Sequence, residues 1–233
     1  MKEQNNVPDY SILREKAGCI YDRLVQHFGI PEWPELAPLD ELINTILSQN
    51  TNDRNRDVAY GNLRDRFSSW DEVREAPIAE VIDCIRSAGL ANQKGPRIQA
   101  VLNRIYAENG SLSLDFLRTW EPAKIREWLT SLHGVGMKTA SIVMLFSLGI
   151  PAFPVDTHIF RVTGRLGLRP SDLKMTADQA HDHLALLFSP ENYRTAHINL
   201  ILLGRRICAA RNPNCSECFL NDVCDYFFSN KHE

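Results

Sequence analysis

The sequence lacks the features of membrane, secreted and disordered proteins. It contains no apolar run long enough to cross a bilayer, so we expect no membrane span. Met1–Asn6 includes no apolar h-region, so we expect no signal peptide. With 44% apolar and 24% charged residues, the composition is that of an ordinary globular chain. These absences point to a folded protein of the cytoplasm.

The chain also lacks an excess of positive charge. Its 26 Lys and Arg residues stand against 29 Asp and Glu, which gives a net charge of −3. This average hides an uneven distribution, because residues 133–169 carry four basic side chains and one acidic one. That segment has a net charge of +3, which leaves −6 for the rest of the chain. A basic segment on an acidic body is typical of proteins that follow a phosphate backbone.

No segment alternates apolar and polar residues for long enough to predict a β-strand. Apolar residues instead recur at helical spacing through most of the chain, as at Leu39, Leu42 and Ile46. Pro96 suits the first position of one such helix. We therefore predict an all-α fold with roughly ten helices.

The segment around residues 132–143 predicts a tight turn between two helices. Leu132 closes one apolar helical face, and Ile142 falls on the inner face of the next helix. Between them, Gly134 and Gly136 flank one apolar residue, and glycine permits tight turns and close backbone approach. Amides at the start of the second helix would suit a phosphate oxygen. A plain helix–turn–helix connector fits the bare glycine pattern as well.

Lys138 falls in the first turn of the second predicted helix. The positive potential of a helix N-terminus favours a neutral amine there, and a neutral amine can attack a sugar C1′ to form a Schiff base. A surface lysine in contact with solvent or phosphate is the simpler interpretation.

Asp156 begins a later helix, and its position as an N-cap needs no further role. The connector 149–155 can span roughly 24 Å, which is enough to bring Asp156 back beside Lys138. There the two side chains would form a nucleophile and its electrostatic or proton-transfer partner.

Four of the six cysteines lie close together, with the spacing Cys208-x6-Cys215-x2-Cys218-x5-Cys224. Without a secretion signal we expect a reducing compartment, where disulfides are disfavoured and such a cluster indicates a metal site. Tetrahedral zinc and a [4Fe–4S] cluster both fit four thiolates. Cys19 and Cys84 stand apart in apolar helical patterns, and we predict that they are core residues.

The stretch from Leu132 to Ala140, followed by Pro154-Val155-Asp156-Thr157-His158, resembles the endonuclease III branch of the helix-hairpin-helix base-excision DNA glycosylases. The resemblance extends over about residues 36–226 and includes every cysteine position of the family's [4Fe–4S] loop. It implies that Lys138 is the Schiff-base lysine and Asp156 the essential aspartate. It also implies a [4Fe–4S] cluster on these ligands: Cys208, Cys215, Cys218 and Cys224.

The activity implied by the resemblance is that of a bifunctional DNA glycosylase and AP lyase. Such an enzyme removes oxidised pyrimidines and nicks the abasic site by β-elimination. The implied partner is double-stranded DNA with a damaged or mismatched base or an abasic site. We expect a monomer that works in the cytoplasm at the nucleoid.

The resemblance further implies two domains with the active site in the cleft between them. A six-helix domain over 40–150 would carry the hairpin at about 125–148, and residues 1–39 and 151–233 would form the cluster domain. The loop of residues 48–53 corresponds to the segment that wedges into the duplex, and Gln93-Lys94-Gly95 to a loop that approaches the opposite strand. The expected DNA contacts are Gln49, Asn50, Gly134, Gly136, Thr139 and Arg161.

The chain departs from the family pattern at His133, where proline is usual, at Met137, where arginine is usual, and in the 48–53 loop. These departures leave the lesion and the preferred opposite base open. One alternative function is a mismatch uracil or thymine glycosylase with weak lyase activity. Another is a non-catalytic iron–sulfur protein that binds DNA or senses redox state. A zinc-stabilised regulator is the third, and it would be colourless where an iron–sulfur protein is brown.

Overall fold

The computed structural model describes residues 10–169 and 174–230, so the prediction made for Met1–Asn6 lies outside the described residues. Within these ranges the regular secondary structure is helical and contains no strand, which confirms the all-α prediction. The α-helices are α1 (Tyr10–Phe28), α2 (Pro38–Ser48), α3 (Asp53–Arg66), α4 (Trp70–Glu75), α5 (Ile78–Cys84), α6 (Ala91–Asn109), α7 (Pro122–Ser131), α8 (Met137–Ile142), α9 (Thr157–Arg165), α10 (Ala177–Ala185), α11 (Tyr193–Arg206) and α12 (Asp225–Ser229). Short 3₁₀ turns cover Arg86–Ala88, Asp115–Thr119, Pro190–Asn192 and Asn221–Val223, and a π-helical stretch, Val143–Ser147, continues α8. None of the described helices combines the length and apolarity that a bilayer crossing requires.

The internal contacts divide the chain into two compact units. The hairpin unit is residues 34–150, and the cysteine unit combines residues 1–33 with 151–233. The first boundary falls between Trp33 and Pro34, ahead of the predicted boundary after residue 39. Residues 34–150 carry seven α-helices where six were expected, since Pro77 separates the short helices α4 and α5.

The hairpin unit is built around α2, which packs against α3, α6 and α8. Leu42, Ile43 and Ile46 on α2 have no exposed surface, and each such side chain contributes about 1.5–3 kcal/mol by leaving water. Asp40 and Glu41 lie in the first turn of α2, where carboxylates suit the positive end of the helix. Because α2 is central, it determines the position of the 48–53 loop that follows it and of α8, which packs beside it.

Helix α6 begins at Ala91 and not at the predicted Pro96, which lies inside the helix. The segment Gln93-Lys94-Gly95 is therefore helical, and the expectation that it forms a loop is wrong. Pro96 lies beyond the first turn of α6 and lacks the backbone N–H that would donate to the carbonyl four residues earlier.

Lys94 is a buried lysine that joins three helical elements of the hairpin unit. Its side chain is 1% exposed, and its Nζ donates to Leu47 O at 2.7 Å and to Ala88 O at 2.8 Å. These carbonyls belong to α2 and to the turn ahead of α6. Burial lowers the pKa of Lys94 from 10.5 to about 8. Lys94 thus holds the end of α2 in place at an electrostatic cost.

This lowered pKa predicts a pH-dependent stability. Between pH 8 and 10.5 the unfolded chain holds the Lys94 proton more often than the folded chain does, so the free energy of unfolding rises with pH. We expect Lys94 to contribute a gain of roughly 2 kcal/mol between about pH 7.5 and 9.5, and Lys94→Met to lack it. Urea unfolding of both proteins at the two pH values measures the difference. The same pH dependence in both proteins would contradict the assignment.

In the cysteine unit, α11 packs against α1 and α9. Asn199 on α11 donates to Leu24 O at 3.4 Å and to Gly29 O at 3.0 Å, and so fixes the end of α1. Cys19 on α1 is exposed, and Cys84 in the hairpin unit is only partly buried. The prediction that both are core residues is therefore wrong for Cys19, whose helix turns that position toward solvent.

Candidate active site and metal centre

The turn between α7 and α8 is anchored by apolar side chains and built on glycine. Residues 132–136 make the connection, and Leu132 and Val135 are 2% and 4% exposed. Gly134 has a φ of +77°, a conformation that other residues rarely adopt. Both Gly134 and Gly136 stay exposed. The buried residues therefore hold the turn while its glycine backbone faces outward.

The N-terminus of α8 has no side-chain cap, because its N-cap residue is Gly136. The first amides of a helix lack intrahelical acceptors, and a Ser or Asp cap would bind one of them. A glycine cap leaves them open to an external anion, which a helix N-terminus attracts. Lys138, the second residue of α8, is half-buried. Thr139 is 3% exposed, so any DNA contact at this residue would use its backbone amide.

The 48–53 loop presents two neighbouring residues in different ways. Asn50 is exposed and has a φ of +53°, in the left-handed region. Gln49 bonds inward: its Nε2 donates to Gly134 O at 3.2 Å, and its Oε1 accepts from Arg97 Nη1 at 2.6 Å. The structure thus brings together Gln49 and Gly134, both predicted to contact DNA, and leaves Asn50 at the tip.

Asp156 is the N-cap of α9 in the cysteine unit, as the sequence predicts. Its Oδ1 accepts a hydrogen bond from Ile159 N at 2.8 Å. The second carboxylate oxygen takes no part in this bond, and the residue is only half-buried. Capping therefore leaves the carboxylate able to act on a ligand as well.

Two buried histidines, which the sequence analysis missed, fix the backbone ahead of Asp156. His181 Nδ1 lies 2.9 Å from Phe153 O, and His197 Nδ1 lies 2.9 Å from Pro154 O. Their side chains are 3% and 4% exposed. Because a carbonyl only accepts, each Nδ1 carries the proton. Helices α10 and α11 thereby anchor the segment that carries the predicted essential carboxylate.

The four clustered cysteines line one cavity of the cysteine unit. None of the four forms a disulfide. Among the described residues, no group of three or more Cys, His, Asp or Glu is arranged to hold a single metal ion. Four thiolates are the ligand set of a [4Fe–4S] cluster and also of tetrahedral zinc, so the cysteines that line this cavity are of the right type for either centre. Burial raises the pKa of Cys218 and of Cys224, and bound metal would offset that cost.

Two arginines of the basic segment surround the first of these cysteines. Arg161 Nε donates to Cys208 O at 3.1 Å, and its Nη2 donates to Gly204 O at 2.8 Å. Arg165 Nη1 donates to Ala209 O at 2.7 Å and lies 3.3 Å from Cys208 Sγ. Two of the arginines that the sequence analysis counts toward a DNA-binding surface therefore also hold the cysteine loop in place through hydrogen bonds. The DNA contact expected of Arg161 stays a prediction.

Two family models match the chain. Residues 43–189, more than half of the chain, match the HhH-GPD superfamily of base excision DNA repair proteins. Residues 208–224 match the iron–sulfur binding domain of endonuclease III. The second match begins at Cys208 and ends at Cys224. It therefore favours a [4Fe–4S] cluster over zinc, the two centres that the cysteine spacing alone allows. The predicted [4Fe–4S] cofactor is thereby confirmed.

The chain is similar to known proteins over most of its length. It is 35% identical to endonuclease III of Sulfolobus acidocaldarius over 81% of this chain and 82% of that one. It is 32% identical to endonuclease III of Thermotoga maritima over 83% and 85% of the two chains. A solved non-covalent complex of endonuclease III with DNA superposes with a TM-score of 0.81 at 25% identity, covering 94% of this chain and 99% of that one. The resemblance inferred from the sequence is confirmed, and the chain belongs to the HhH-GPD superfamily of base excision DNA repair proteins.

Proposed function

We propose that this protein is a bifunctional DNA glycosylase and AP lyase that removes oxidised pyrimidines from double-stranded DNA. The observation that carries the proposal is the position of Lys138, the second residue of α8, directly after a glycine-capped turn. An amine at this position can act as a nucleophile beside backbone amides that bind a phosphate. The relatives named endonuclease III support the same class of reaction.

In the proposed reaction the damaged nucleotide first leaves the base stack. Lys138 Nζ then attacks C1′ while the bond from C1′ to the base breaks, and the base leaves with the electron pair and takes up a proton. The lysine nitrogen then loses a proton, and the C1′–O4′ bond breaks while O4′ takes up a proton, which gives a protonated Schiff base. This Schiff base makes the C2′ proton acidic. Loss of that proton breaks the C3′–O bond and nicks the strand on the 3′ side of the sugar.

Asp156 is the second residue that we propose for the reaction. Its carboxylate would stabilise positive charge on the sugar in the transition state and assist proton transfer. The hydrogen bonds of His181 and His197 to the preceding carbonyls hold the segment that presents it.

We assign a role to each remaining residue that is predicted to contact DNA, according to the backbone or side-chain group that it exposes. Gly134, Gly136 and Thr139 would supply backbone groups to phosphates, and Asn50 would enter the space left by the extruded base. Arg161 keeps its predicted contact with DNA. The proposed cluster ligands are Cys208, Cys215, Cys218 and Cys224, which line one cavity. When bound, the cluster fixes the shape of the loop from 208 to 224.

We infer that the protein works as a monomer on nucleoid DNA in the cytoplasm. None of its six cysteines, all of which lie in the described residues, forms a disulfide, which fits a reducing compartment in which a thiolate-ligated cluster keeps its ligands.

A panel of lesion duplexes with borohydride reduction tests the proposal. The panel contains thymine glycol, an abasic site, and uracil or thymine opposite guanine. We expect base release and a reduced covalent protein–DNA product with thymine glycol, and the covalent product with the abasic site. Faster release of uracil or thymine from mismatches with little trapping would favour the mismatch glycosylase instead. Binding to every duplex without release or cleavage would favour the non-catalytic protein.

A further inference from the structure

Gln49 bridges the 48–53 loop and the turn before α8 with both ends of its side-chain amide. Its Nε2 donates to Gly134 O at 3.2 Å, and its Oε1 accepts from Arg97 Nη1 at 2.6 Å. The loop and the turn are 85 positions apart in the sequence. An amide bonded at both ends is held in place, so Gln49 is poorly suited to enter the duplex.

Arg97 lies directly on the glycine turn. A Cβ atom added to Gly134 would fall 2.0 Å from Arg97 Nε and 2.3 Å from its Cδ, so only glycine leaves room for this side chain. Arg97 Nε is buried and meets no acceptor within the described part of the chain. The arginine is therefore held by its packing over Gly134 and by its bond to Gln49.

Helix α6 holds the loop at a second point one turn earlier. Lys94 Nζ donates to Leu47 O, which immediately precedes the loop. Lys94 thus fixes the start of the 48–53 loop, and Arg97 fixes Gln49, the second residue of the loop. Asn50 stays exposed at the tip. The loop is a fixed element whose tip position depends on α6.

We infer that Arg97 is a positioning residue that locks Gln49 between the 48–53 loop and the turn at Gly134, so that Asn50 is the residue presented to the DNA. This inference rests on the proposed function and deepens it. Extrusion of a base requires that the inserted side chain and the phosphate contacts act in register, and small displacements lower rates strongly. The Arg97–Gln49–Gly134 contact would set that register.

Three variants test the inference: Gln49→Leu, Gln49→Glu and Arg97→Met, with the double variant Gln49→Leu/Arg97→Met. Gln49→Glu keeps the oxygen that accepts from Arg97, but it replaces the nitrogen that donates to Gly134 O with a second oxygen. This variant therefore removes the bond to the turn and leaves the bond to Arg97. Arg86→Met is the matched control, because Arg86 is an exposed arginine of the same unit that forms an ion pair with nearby Asp83. The readouts are the single-turnover rate of base excision from duplex DNA, the DNA dissociation constant at several salt concentrations, and β-elimination at an abasic site in a single strand.

We expect each variant to lower the excision rate from duplex DNA about tenfold, and the double variant to lower it no further than a single one. Cleavage of the single-stranded abasic site, where no base leaves a stack, should stay within about twofold of wild type. Arg86→Met should match wild type in every assay.

Additive losses in the double variant, or excision by Gln49→Leu at the wild-type rate, would overturn the inference. So would a loss confined to Arg97→Met with a reduced salt dependence of binding, which would make Arg97 a simple phosphate contact. Failure of wild-type protein to cleave or trap the single-stranded abasic site would instead count against the proposed function.

Discussion

We expect Lys138→Gln to remove both the borohydride-trapped complex and strand cleavage at an abasic site, with a loss of at least about 10⁴-fold in single-turnover rate. Glutamine keeps the length and polarity of the side chain but has no amine to form a Schiff base. The substitution lies in the first turn of α8, where glutamine is a good helix former, so the fold should be retained. Gel analysis of the covalent product and of the nicked strand measures both effects.

Lys124→Gln provides the matched control for this variant. Lys124 is an exposed lysine on α7 that lies over the Trp120 ring at 3.9 Å. Lys124 belongs to the same unit as Lys138. We expect the Lys124→Gln protein to form the trapped complex and to cleave the abasic site like the wild-type protein. A Lys138→Gln protein that still forms the covalent product would place the nucleophile on another amine and defeat the assignment.

Asp156→Asn separates the two roles that one side chain combines. Asparagine caps a helix about as well as aspartate, so the bond to Ile159 N and the melting temperature should both be kept. The negative charge is lost, and we expect the excision rate to fall about 10²- to 10⁴-fold, the range usual for a removed acid–base or electrostatic group. Thermal unfolding and single-turnover kinetics on the same preparation supply the two measurements.

Asp156→Ala completes this comparison, because it removes the cap as well as the charge. It should lose about 1 kcal/mol of stability in addition to activity. If Asp156→Asn excises bases at the wild-type rate, Asp156 is a structural cap and the proposed chemistry needs another partner for Lys138.

The features that the sequence predicts well are those encoded by neighbouring residues. The glycines of the turn and the N-cap at Asp156 each depend on positions a few residues apart. The structure has all of them, since local conformational preferences and hydrogen bonds need no distant partner to form. The cysteine spacing narrows the metal centre to two kinds for the same reason.

The contacts that arrange the site around these residues are long-range, and the sequence gives no signal for them. His181 and His197 sit on helical faces where a histidine usually signals packing, yet their rings hold the backbone ahead of Asp156. Lys94 looks like part of a polar loop but is the buried anchor of α2. Charge counts place Arg165 on a DNA-binding face, whereas its guanidinium bonds to the cysteine loop. Side-chain partners this far apart are determined by the packing of helices, which no local pattern specifies.

The discontinuity of the cysteine unit has a consequence for the order of folding. Asn199 bonds to Leu24 across 175 positions, and the whole hairpin unit is encoded between them. Contacts this distant close a large loop and form slowly, whereas the hairpin unit needs only its own continuous segment. On the ribosome the hairpin unit can therefore fold first, whereas α1 can pack against α11 only after α11 has been synthesised. The last cysteines emerge later still, so the cluster is inserted into a protein in which the turn between α7 and α8 has already formed.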